Sequence, residues 1–101
     1  MHGTLRWVAP RKGGLSSPVA TDYWVRPAWI EPGGIGNVAS LVIEGIVPGA
    51  AVSPRVSAYW LMWDALPDES WTVRRGDVLA VTEDGRAVAF LAVQDVTTRP
   101  R

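Results

Sequence analysis

The chain has 101 residues, ten basic and ten acidic side chains that cancel to a formal net charge of zero, and no cysteine. That length suits a single domain able to bury about two-thirds of its unfolded surface. The missing thiols exclude a disulfide framework, a cysteine nucleophile and a thiolate metal site, and the neutral balance withholds the sequence-independent attraction on which nucleic-acid binders draw.

In chain order, the stretch from Met1 to Trp7 lacks an apolar run long enough for a signal peptide. Nothing later approaches a membrane span, so a soluble cytoplasmic protein is expected. Gly and Pro punctuate nearly every segment, which is the pattern of short strands. Strands are predicted from Thr4 to Ala9, Pro18 to Trp29, Asn37 to Gly45, Arg55 to Trp63, Val78 to Glu83 and Arg86 to Val96, with Thr97 to Arg101 a loose tail. A helix competes over Arg55 to Leu66, where Tyr59, Met62, Trp63 and Leu66 fall at helical spacings. Alternation also holds there, with Val56, Ala58, Trp60 and Met62 on one face and Tyr59, Leu61 and Trp63 on the other, and the aromatic content favours strand.

The most specific local signal is Asp84-Gly85, a dipeptide suited to a two-residue type I′ turn, between two strand-forming runs. An unbroken ladder from that turn pairs Glu83 with Arg86, Val81 with Val88 and Leu79 with Phe90, the last two facing a core. The opposite face, with Val78, Ala80, Ala87, Ala89 and Leu91, is also apolar, so both faces are expected to be covered. Six strands in a hundred residues imply an all-β fold, a small closed six-stranded antiparallel β-barrel.

Four segments in order, Gly13-Gly14-Leu15-Ser16-Ser17-Pro18, Arg26-Pro27-Ala28-Trp29, Val47-Pro48-Gly49 and Asp84-Gly85-Arg86-Ala87-Val88, resemble motifs of the C-terminal β-barrel domain of elongation factor Tu-type translation factors. Against that family's pattern, an arginine is replaced by Leu15, the tyrosine before Arg-Pro is displaced, and Trp60 to Arg75 is longer. The resemblance implies a docking barrel. These 101 residues contain no counterpart of the family's nucleotide-binding domain, so GTP binding and hydrolysis are not expected of them.

Catalytic groups are sparse. The single histidine, His2, lies beside a terminus expected to be mobile, which gives a weak foundation for a general base. Asp64, Asp68 and Glu69 surround Pro67 in a loop, with too few oxygen ligands for a hard cation. Arg11-Lys12-Gly13-Gly14 and Gly33-Gly34-Ile35-Gly36-Asn37 match no phosphate-binding spacing. No enzyme activity, cofactor or metal is therefore expected.

Six tryptophans exceed what a small interior needs. Trp63 and Trp71, with Arg74, Arg75, Arg26 and Trp29, are the candidate partner-binding residues, because aromatic rings and Arg are enriched at binding hot spots. The leading expectation is a non-catalytic module that docks to a protein, with a link to translation. The alternative is a tRNA- or RNA-binding barrel using Arg26, Arg55, Arg74, Arg75 and Arg86 beside stacking rings, which requires those arginines to converge. A third reading is a small-ligand barrel with an open interior. Self-association through the hairpin's small-residue face stays open.

Overall fold

In the computed structural model, which describes residues 1–9, 12, 14, 19, 21–32, 38–61 and 72–96, Asp84 and Gly85 have φ of 56° and 79°. Positive φ at both positions is what a type I′ turn requires, and it delivers Glu83 opposite Arg86. The strands are β1 (His2–Trp7), β2 (Tyr23–Ile30), β3 (Ala39–Glu44), β4 (Val52–Trp60), β5 (Val78–Glu83) and β6 (Arg86–Asp95). They close into an antiparallel barrel in the order β1-β4-β3-β2-β5-β6. Three hairpin-connected strands, β2 to β4, with β1 returned beside β4 make a Greek key. We call the end where β1, β3 and β5 finish the upper end.

Beyond the turn the hairpin departs from the ladder expected of it. Thr82 faces Ala87 but Val81 faces Ala89, so Val88 is an extra residue on β6. A one-residue insertion moves all later side chains to the other face. Leu79 consequently faces Leu91, not Phe90. Leu91 is fully buried in the interior, whereas Phe90 is turned out and 36% exposed. The expected pairs Val81 with Val88 and Leu79 with Phe90 are therefore corrected, while the inward face of β5, Leu79 and Val81, stands.

The interior is filled by Leu5, Ala28, Leu41, Ile43, Val56, Ala58, Leu79, Val81, Ala89, Leu91 and Val93. Each large aliphatic side chain so buried contributes roughly 1.5–3 kcal/mol. Trp60 and Val73 close the core near the lower end, and the partly buried Trp7 and Trp24 pack on it near the upper end. Among the described residues, three tryptophans thus serve the core. Val42 and Ala80, which alternate out of the interior, are buried as well, so part of the outer wall is covered.

Several boundaries differ from the sequence expectation for identifiable reasons. Backbone bonds in both directions between Met1 and Ala58 tie the first residues into the sheet, so β1 begins at His2 and its start is anchored. β2 begins at Tyr23, after Asp22 has used its carbonyl on Gly45 and Ile46. β4 begins before Pro54, because Pro54 and Arg55 together oppose the single residue Thr4 and the missing proline N–H falls in that bulge. The segment with the competing helical reading is strand through Trp60, and Leu61 then turns away with its N–H on the Ser40 carbonyl. Trp63 and the expected tail, Thr97 to Arg101, lie outside the described residues.

Candidate functional site

Barrel closure produces a grouping that linear order hides. His2 faces Ser57 across β1 and β4, Glu44 faces Ser57 across β3 and β4, and Asp95 faces His2 across β6 and β1. Asp95, His2, Ser57 and Glu44 therefore form one row across four adjacent strands. Alternation turns Ser57 and Glu44 outward, since Val56, Ala58 and Ile43 point into the core.

The row lies along a cleft of about 490 Å³ on the outer wall, lined also by Gly3, Gly45, Arg55, Val56 and Gln94. That volume falls within the usual range for ligand sites. Two bulges shape it: Pro54 and Arg55 are accommodated opposite Thr4, and Gln94 is the extra residue between Val93 and Asp95. Bulges bend a strand and increase its local twist. Gly3 lets β1 approach β6, because a Cβ there would run into the Ala92 carbonyl oxygen. Gln94 is held by its amide N–H to Thr4 Oγ1 at 2.9 Å, and Thr4 donates to the Pro54 carbonyl at 3.1 Å.

Among the described residues, no hydrogen bond or ion pair engages the side chains of His2, Glu44, Arg55, Ser57 or Asp95. Two carboxylates, a guanidinium, an imidazole and a hydroxyl thus line one cleft without partners among the described residues. The acid, imidazole and hydroxyl stand in a hydrolytic order, but they are not hydrogen-bonded into a relay. Among the described residues no three of His, Asp and Glu are placed to hold a metal ion.

Of the residues singled out from sequence, the described ones lie at both ends of the barrel. Trp63 and Trp71 lie outside the described residues, as do Asp64, Asp68 and Glu69. Arg26, at the upper end, donates from Nε to Glu83 Oε1 at 3.2 Å and lies over the Trp24 ring at 5.2 Å. Trp24 in turn packs against Trp7 at 4.9 Å between ring centroids. Arg74 and Arg75 are exposed on a turn at the start of β5, where Asp77 Oδ2 accepts from the Arg74 backbone N–H at 2.8 Å. Trp29 is half-buried nearer that lower end, opposite Ala80, and its indole N–H donates to Glu31. Arg26 is separated from the Arg74 turn by the length of β5, about 17 Å, so among the described candidates Arg26 does not share a patch with Arg74 and Arg75.

The five arginines of the RNA reading are likewise spread, with Arg26 and Arg86 at the upper end, Arg74 and Arg75 at the lower end, and Arg55 in the acidic-lined cleft. Among the described residues no helix is long and apolar enough to cross a membrane, a finding that does not bear on β-barrels. Comparison of the chain with protein-family models, with curated proteins and with solved structures finds no match, so the likeness to the elongation factor Tu domain rests on the four quoted segments.

Proposed function

We propose that this barrel is a non-catalytic interaction module that docks a protein partner in the cleft running across β6, β1, β4 and β3. The observation that carries the reading is the set of five polar side chains that line the cleft without partners among the described residues. Such groups cost little while solvated and gain by meeting complementary groups on a partner. The interior is packed with side chains, so binding is assigned to the wall and not to the lumen. The neutral overall charge and the scattered arginines favour protein over RNA. The four elongation factor-like segments add a link to translation in the cytoplasm, and the lack of cysteine suits a reducing compartment.

Affinity capture from the source cell tests this reading with the wild-type chain and with Ser57→Trp, which places a large ring on the outward face of β4 and fills the cleft. A partner retained by the wild type and lost by the folded variant supports it. Equal retention places docking elsewhere, and capture of RNA that weakens as salt rises supports the nucleic-acid reading instead.

A further inference from the structure

We propose that the cleft takes a short basic peptide segment, its two cationic groups seated on Glu44 and Asp95 and one carboxylate on Arg55. The inference rests on the docking reading above and names the chemistry of the segment that docks. Three observations carry it.

The first is charge. Glu44, Asp95 and Arg55 are exposed around one cleft, none is paired among the described residues, and together they carry a net charge of −1. A segment with two cations and one anion matches both the sum and the signs. Arg55 is followed two residues later by Ser57, so it lies beside the row of Asp95, His2, Ser57 and Glu44 and not within it. An anion is therefore received at the flank of the row while cations are received at its ends.

The second is length. Glu44 and Asp95 are three strand spacings apart, about 14 Å along the sheet. Extended chain covers roughly 3.3–3.6 Å per residue, so three to four residues with a long basic side chain reach both carboxylates. His2 and Ser57 stand between them, where an imidazole and a hydroxyl can exchange hydrogen bonds with peptide groups.

The third is the mode of recognition. Because the barrel is closed, it offers a partner strand no open edge, and β-augmentation is not available. Side chains must do the recognition, and outward-facing charged side chains are what this wall presents. A cleft floor with glycine at positions 3 and 45 leaves room for a chain to lie across the strands.

Titration of the full chain with the tripeptide Gly-Gly-Lys, followed by backbone-amide NMR, tests the proposal, with Gly-Gly-Glu and carboxamide-capped Gly-Gly-Lys as comparisons. Expected are saturable shifts at His2, Glu44, Arg55, Ser57 and Asp95 with Gly-Gly-Lys, and markedly weaker binding of Gly-Gly-Glu. Glu44→Gln and Asp95→Asn each weaken binding about two- to five-fold, as exposed ion pairs do. Arg55→Gln weakens the free acid but not the capped peptide. Equal binding of Gly-Gly-Glu, shifts confined to other surfaces, indifference to both carboxylate changes, or no saturable shift overturns the proposal. Failure of the peptide with retained Ser57-dependent capture of a protein overturns the basic-segment assignment alone, while failure of both overturns the docking reading as well.

Discussion

His2 and Ser57 are direct cross-strand partners on the outer wall, in the same β1 to β4 ladder in which Gly3 faces Val56. Directly opposed Cβ atoms lie about 4.5–5.5 Å apart, so imidazole and hydroxyl face the same small volume of solvent. Residue 2 and residue 57 meet because the Met1 amine and carbonyl are both bonded to Ala58. The N-terminal residues that a linear reading treats as loose are part of the proposed site.

Ser57→Trp should therefore leave the fold intact while abolishing partner capture. The position is half-buried and outward-facing, and aromatics suit strands. Thermal unfolding should move by no more than a few degrees, since changes at such surfaces fall within about 0.5 kcal/mol.

The bulge at Val88 predicts an inversion between neighbours. Leu91→Ala should cost about 2–5 kcal/mol because Leu91 is fully buried opposite Leu79. Phe90→Ala should cost less than about 1 kcal/mol, although the larger side chain is removed, because that ring is turned outward. Urea denaturation with unchanged slope reads both values. An unbroken ladder would give the reverse order.

Gly3→Ala should destabilise the barrel by about 1–3 kcal/mol, the cost of forcing a methyl group into packed backbone. Its position beside Ala92 leaves little space for relief, so the closure between β1 and β6 must open slightly. Faster exchange of the β1 and β6 amides, with those of β2 and β3 unchanged, is the expected signature.

At the upper end, a double-mutant cycle on Arg26→Ala and Glu83→Ala should return a coupling of only about 0.2–1 kcal/mol. The two side chains are 41% and 32% exposed, so water screens the pair. The coupling should shrink as salt is raised. Arg26→Ala alone should cost more than the coupling, because its contact with the Trp24 ring is lost as well.

What could be read from sequence was local. Asp84-Gly85 specifies its own turn through the φ values it permits, and the alternation of Val56, Ala58 and Trp60 places those side chains in the core. The register beyond the turn was not legible, because Ala87 to Val93 is apolar at every position and either face could serve as the interior. The cleft was hidden for a different reason. Its residues come from positions 2–3, 44–45, 55–57 and 94–95, and they meet only when β1 inserts between β4 and β6. The available hint was that Arg55 and Ser57 alternate with the core residues Val56 and Ala58 and so had to face outward. Of the tryptophans, Trp7, Trp24 and Trp60 pack on the core and help close the ends of the barrel.

The most direct measurement is an amide chemical-shift map of the barrel on addition of the captured partner. Docking in the cleft predicts that the largest shifts fall on His2, Gly3, Glu44, Arg55, Ser57, Gln94 and Asp95 and disappear in Ser57→Trp. Shifts gathered instead on Trp29, Arg74 and Arg75, persisting in that variant, would contradict it.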